Sequence, residues 1–219
     1  MEIMENLWQV GGAEYTSVED AAIYLIRFGE KAAMIDAGCG GAHRHLVSNI
    51  AGVLPPAVEI EYLFLTHCHY DHTGGAEAVR NQYGCKIVAH ELDAQYLESG
   101  DSTVTAATWY GARMNPLKID YKIKQNEQSF QVGNGELTAY HCPGHSPGSV
   151  VYLTELGSRR ILFGQDVHGP LDASFLSDTD DYKRSLNFLK GLQADVLCEG
   201  HFGIYRGKEE VVRFIHTYL

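Results

Sequence analysis

Two stretches of this chain repeat one order of signals, and that repetition restricts the fold more than any other feature. In the first, Ile23-Tyr24-Leu25 and Met34-Ile35 flank a turn at Phe28-Gly29-Glu30 and lead to Asp36. A helical stretch from His43 to Leu54 stops at Pro55-Pro56, and the apolar run Tyr62–Leu65 leads through Thr66 to His67. In the second, Val151-Tyr152-Leu153, a turn at Gly157 and Ile161-Leu162-Phe163 precede Asp166. The stretch DDYKRSLNFLKGL then sets Tyr182, Leu186, Leu189 and Leu192 at helical spacing, and Val196-Leu197-Cys198 runs into Glu199-Gly200-His201. Each half reads hairpin, aspartate, helix, strand, histidine. Strands that are apolar throughout need cover on both faces. The repeat therefore predicts an α+β fold in one domain, residues 1–219. Two related β-rich halves pack face to face, with helices outside and polar strand ends at one edge.

The remaining segments fit around this plan. After Gly74-Gly75, AEAVRNQY reads as a helix closed by Gly84, and CKIVAH as the next strand of a β-α-β unit. Residues 91–130 have no counterpart in the other half. They predict a helix at Glu91–Leu97, a second from about Thr103 to Met114, and a turn at Asn115-Pro116. Beside a polar edge, such an insertion serves either as a substrate cap or as a structural cover. KEEVVRFIHTYL reads as a closing helix.

Composition narrows the partners. A formal net charge of -11, from 28 acids against 17 bases without a basic cluster, argues against a phosphate-tracking surface and hence against nucleic acid. No apolar run is long enough for a membrane span, and the acidic N-terminus lacks the basic start of a signal peptide. Cys39, Cys68, Cys85, Cys142 and Cys198 stand singly, without a disulfide framework. The expectation is a cytoplasmic protein acting on a small molecule, its oligomeric state not legible.

Chemistry concentrates at His67-Cys68-His69-Tyr70-Asp71-His72, where a buried strand ends. Imidazoles and carboxylates gathered there would be costly to bury without partners, which favours a metal site over core packing. His67 and His69, two apart, can point the same way from an extended segment, while Asp71 and His72 can face a second position. His145, in the turn-rich HCPGHSPG, and Asp166 and His201, each beyond an apolar strand, supply the rest. His168 could reach a substrate oxygen. Tyr70, Trp109 and Tyr110 read first as aromatic packing.

These elements resemble the metallo-β-lactamase-fold hydrolases, whose H-x-H-x-D-H signature stands here as HCHYDH. The family's later histidine, bridging aspartate and last histidine match His145, Asp166 and His201, and its early strand-end aspartate matches Asp36. The resemblance implies a four-layer αββα sandwich with the site at one edge. It implies that His67, His69 and His145 hold one ion, that Asp71, His72 and His201 hold the other, and that Asp166 bridges both. Asp36 would support the histidine loop from behind.

Such a site leaves room for water, the mark of a catalytic rather than structural centre. Two ions can share that water as hydroxide and attack a carbonyl or phosphorus centre, with Asp71 as orienter or proton carrier. Zinc is the first expectation, with iron or manganese as the other metals the ligand types accept. Within the family, this chain lacks several branch marks: the basic arm of tRNA-processing members, the acid that replaces His69 in diiron flavoproteins, and the long C-terminal extension of glyoxalase II. True β-lactamases of this fold usually lack an aspartate in the bridging place. The expected activity is hydrolysis of a small ester-like bond, thioester or lactone, in the glyoxalase II or lactonase-like branch. The alternatives are a mononuclear iron persulfide dioxygenase and a phosphodiesterase.

Overall fold

The structure, a computed structural model, describes residues 1–164 and 166–219. Alternation of side chains across two sheets accounts for most of the layering. The first sheet has seven strands in sequence order: β1 (Glu2–Met4), β2 (Leu7–Gly11), β3 (Ile23–Phe28), β4 (Lys31–Ile35), β5 (Glu59–Phe64), β6 (Lys86–His90) and β7 (Tyr121–Ile123). The second has six, in the order β13 (Ile204–Arg206), β12 (Val196–Cys198), β11 (Arg159–Phe163), β10 (Val150–Leu156), β9 (Gly135–His141) and β8 (Glu127–Val132).

Tyr24, Ile26, Ile35, Phe64 and Val88 of the first sheet pack against Leu137, Ala139, Tyr152, Phe163 and Cys198 of the second, forming the central layer of core. The alternate residues face outward, as the two-residue period of a strand requires. Leu25, Met34, Leu63 and Ile87 pack under helices α1 (His43–Val53), α3 (Ala76–Tyr83) and α4 (Glu91–Ser99). Val151, Leu153, Leu162 and Leu197 pack under α5 (Thr179–Gly191) and α6 (Lys208–His216). The expected four-layer αββα sandwich results. No helix among the described residues is long and apolar enough to cross a membrane, and all five cysteines are buried.

The repeat holds at the level of register. In the first half β3 pairs antiparallel with β4 and β4 parallel with β5, and in the second β10–β11 and β11–β12 do the same. Ala22 N–H donates to Gly200 O and Val150 N–H to Thr66 O, each at 2.7 Å, so the halves exchange equivalent bonds. Tyr24 donates to Glu199 O at 2.6 Å and Tyr152 to Leu65 O at 2.7 Å, again equivalent positions. Register also refines the alignment. Tyr24 lies opposite Ile35 and Tyr152 opposite Phe163, so the counterpart of Asp36 is Gly164, and Asp166 lies two residues further on.

Residues 91–130 depart from expectation in one place. The first helix forms as α4, but Thr103 to Met114 holds only a short 3-10 turn, Ala107–Tyr110. Asp101 Oδ1 accepts from the N–H groups of Thr103 and Val104, at 2.9 and 3.0 Å, closing a local turn in place of a helical one. Ala106 and Gly111, at φ 57° and 63°, bracket the 3-10 turn in the left-handed region, which an α-helix cannot pass through.

Candidate metal centre

The strand ends of both halves open on the same edge of the sandwich. After β5 the chain stays extended through His69 (φ -66°, ψ 147°), then turns into the single helical turn α2 (Tyr70–Thr73). The extended part carries His67 and His69; the turn carries Asp71 and His72. The β9–β10 loop brings His145, the segment after β11 brings Asp166, and the β12–β13 loop brings His201. Among the described residues, two groups contain the seven expected ligands, and a third joins Asp166 to His168 and Glu199. His67, His69, His145 and Asp166 gather as one buried group, and Asp71, His72 and His201 as a second. Asp166 lies between them, with Oδ1 3.1 Å from His72 Nε2 and Oδ2 3.4 Å from His201 Nε2 and 3.6 Å from His145 Nε2.

Hydrogen bonding behind the rings determines which nitrogens face the centre. Thr66 Oγ1 donates its one hydrogen to Asp36 Oδ2 at 2.8 Å, so His67 Nδ1, 3.0 Å from that oxygen, is the donor to it. His67 Nε2 is left as a lone pair, and it is buried with no hydrogen-bond partner. His72 Nδ1 donates to Asp36 Oδ2 at 2.7 Å, and His145 Nδ1 to Pro170 O at 2.9 Å, which leaves His145 Nε2 as an acceptor. His145 Nε2 and His69 Nδ1 lie 3.0 Å apart. With His69 Nδ1 donating to His145 Nε2, His69 Nε2 joins His67 Nε2 as a buried lone pair without a partner, and such lone pairs gathered beside a carboxylate favour a cation among them. This donor set, neutral imidazoles with a carboxylate, is the one divalent transition metals take. The rings of His67, His72 and His145 are fixed from behind by the oxygens of Thr66, Asp36 and Pro170, as metal-binding histidines commonly are.

The electrostatics divide the same way. Burial pushes the pKa values of His67, His69 and His145 down, keeping those rings neutral as ligands must be. Burial opposes charge on His72 too, but Asp166, Asp36 and Asp71 outweigh it and raise its pKa well above the usual range. For His201, Asp166 and Asp71 likewise overcome burial and raise the value to about 10. The carboxylates thus create a strongly negative potential, and a divalent ion supplies the matching charge. Gly200 is part of the fit: a Cβ there would sit 2.2 Å from Asp166 Oδ1.

Asp36 lies behind the histidine loop, accepting from Thr66 N–H at 2.8 Å as well as from Thr66 Oγ1 and His72 Nδ1. His168 enters neither of the two main groups but lies in the third, with Asp166 and Glu199. Its Nδ1 lies 2.9 Å from Glu199 Oε1, and its ring packs edge-on against those of His201 and Phe202. Trp109, 59% exposed, packs on Phe175, whose ring lies 4.3 Å from that of His69. A cavity of about 620 Å³ beside His201 is walled by Tyr15, Phe202, Ile204 and Arg206 among others.

Two buried acids escaped the sequence reading. Asp93 on α4 accepts from Cys68 N–H at 2.8 Å, Ser146 Oγ at 2.6 Å and Gly148 N–H at 2.6 Å, locking the histidine loop to the His145 loop. Glu199 makes a similar set of bonds around Asp166 and His201. Asp93 carried one faint signal, an acid on the inward face of an otherwise apolar helix stripe. Glu199 carried none beyond its place next to Gly200-His201.

Residues 17–201 match the sequence profile of the metallo-beta-lactamase superfamily. Among curated proteins, the chain is 27% identical over 186 residues to the "Probable metallo-hydrolase MJ0888" of Methanocaldococcus jannaschii, covering 81% of this chain and 85% of that protein. It is 29% identical to the "Acyl-coenzyme A thioesterase MBLAC2" of Gallus gallus, covering 94% of this chain and 80% of that one. A solved metallo-beta-lactamase of Cronobacter sakazakii with a HARLDQ motif superposes with a TM-score of 0.82 at 20% identity, over 100% of this chain and 90% of that one; it shares the fold.

Proposed function

The chain belongs to the metallo-beta-lactamase superfamily and is a hydrolase, and we propose that it cleaves thioester-type bonds with two divalent ions, zinc foremost. His67, His69 and His145 would hold one ion, Asp71, His72 and His201 the other, with Asp166 shared. The observation that carries this reading is the gathering of His67, His69, His145 and Asp166 beside Asp71, His72 and His201, with the rings of His67, His72 and His145 fixed from behind by Thr66, Asp36 and Pro170 O. Bound divalent ions supply Lewis acidity and lower the pKa of water to about 7.

The chain's own residues do the rest. Asp71 Oδ2 lies 3.1 Å from His201 Nε2, and burial, with the Asp71 carboxylate beside it, pushes the Tyr110 pKa up and keeps that hydroxyl protonated. Asp71 can thus accept a hydrogen bond from an incoming nucleophile and carry its proton. Phe175 and Trp109 pack beside His69 on one side and Phe202 lines the cavity beside His201 on the other, giving the reacting carbonyl apolar flanks. We assign residues 91–130 a double part. Asp93 makes the segment a structural brace, while Trp109 and Tyr110 form its substrate-facing rim. A thioester is favoured over other esters because a relative spanning nearly the whole chain carries the thioesterase name.

The test joins metal content to turnover. Elemental analysis of anaerobically purified protein, wild type beside His201→Ala, should give two zinc or manganese ions falling towards one. Thiol release from acyl thioesters should exceed hydrolysis of bis-p-nitrophenyl phosphate. One iron per chain in both proteins, with oxygen consumed on a persulfide, would overturn the reading.

A further inference from the structure

We propose that Glu199 is the positioning residue of the second metal position, setting the separation of Asp166 and His201. The inference rests on the two-ion reading above and concerns a residue that reading does not use. The Glu199 side chain is fully buried. Its Oε1 accepts from Val167 N–H at 3.0 Å and lies 2.9 Å from His168 Nδ1. Its Oε2 accepts from the N–H groups of His201 and Phe202, each at 2.7 Å. One carboxylate therefore joins the backbone just after Asp166 to the backbone of His201 itself. Because Gly200 lies against the Asp166 carboxylate with no room for a Cβ, a small shift in either loop displaces a ligand atom.

The internal repeat says why an acid stands here. In the first half the strand-end position on β4 holds Asp36, which reaches across to Thr66 and His72, and the position equivalent to Glu199 is the apolar Leu65. In the second half the counterpart of Asp36 is Gly164, which has no side chain to reach with. The acid comes instead from the other strand, at Glu199. Asp36 and Glu199 are thus buried carboxylates that tie strand-end loops together in the two halves, contributed from opposite strands. Leu65 shows that this strand end folds without an acid, so stability alone does not call for one.

Glu199→Gln tests the assignment. The amide keeps the size but offers one acceptor oxygen, so one of the two pairs of donors faces an NH₂ group. Zinc and cobalt titrations of metal-free protein should show the first ion bound as in wild type. The second should bind about 10- to 100-fold more weakly, the usual range for lost support behind a ligand, with the cobalt absorption of the second ion altered. Glu199→Asp, which retains the charge but cannot span both loops, should weaken the same ion and serves if the glutamine variant fails to fold. Equal weakening of both ions, in step with a lower melting midpoint of the metal-free protein, would reduce Glu199 to a structural residue and overturn the proposal, as would two ions bound at wild-type strength. If wild type itself takes up one ion, the two-ion reading fails first.

Discussion

A single oxygen decides much of this site. Asp36 Oδ2 takes the Thr66 hydroxyl and His72 Nδ1 together, and through Thr66 it also fixes the orientation of His67. The residue sits at φ 62°, a left-handed conformation that asparagine tolerates and most side chains do not. Asp36→Asn therefore leaves the backbone undisturbed and changes only the hydrogen-bond arithmetic, since the amide nitrogen cannot accept. Turnover should fall about 10- to 100-fold, with metal content at the His67 and His72 positions falling alongside it. An unchanged kcat/KM and full metal content would show that Thr66 alone suffices to hold the rings.

At the scale of elements, the junction of β6 and α4 ties the segment 91–130 to the metal edge. His90 ends the strand and caps the helix, its Nδ1 accepting from Leu92 N–H at 3.3 Å, and its ring stacks on His141 at 3.8 Å. Burial, with a smaller push from His141, lowers its pKa from 6.5 to about 4. The unfolded chain thus takes up the His90 proton at higher pH than the folded one does. Stability from this residue is complete above pH 6.5, declines as pH falls from there to about 4, and is constant below. His90→Asn keeps a capping oxygen and removes the titration. The loss of stability between pH 7 and pH 4, read by urea unfolding, should shrink by about 1–2 kcal/mol in the variant. Parallel profiles would place the acid sensitivity elsewhere.

For the whole molecule, the metal edge is where the two sheets meet. Its ligands come from both sheets, and Tyr24 and Tyr152 each cross from one sheet to the strand end of the other. Ions bound there would link the halves, so their removal should be felt globally. Dialysis against a chelator should lower the melting midpoint by about 10 °C, since an ion at a thousand times its Kd contributes about 4 kcal/mol and each kcal/mol moves a chain of this size by about 2–4 °C. Zinc should restore both the midpoint and thioester turnover. A midpoint indifferent to chelation would mean that the buried imidazoles are satisfied without an ion.

Local signals were sufficient for the layers and for the ligand types. Apolar runs of strand length, glycine and proline punctuation, and the spacing of HCHYDH are properties of neighbours in sequence, and they carried the repeat, the hairpins, the outer helices and the gathered histidines. What needed three dimensions was every relation between distant loops. Asp93 lies 25 residues from Cys68 and 53 from Ser146, and Glu199 lies 32 from Val167, so no local pattern marks either as a brace. The 3-10 turn at Ala107–Tyr110 was hidden for the same kind of reason, because helical periodicity cannot show that Asp101 closes the backbone first. Sequence by itself determined which side chains could meet at one edge; the tertiary structure decided which atoms face one another, because a carboxylate or a ring nitrogen acquires its role only from the donors folded around it.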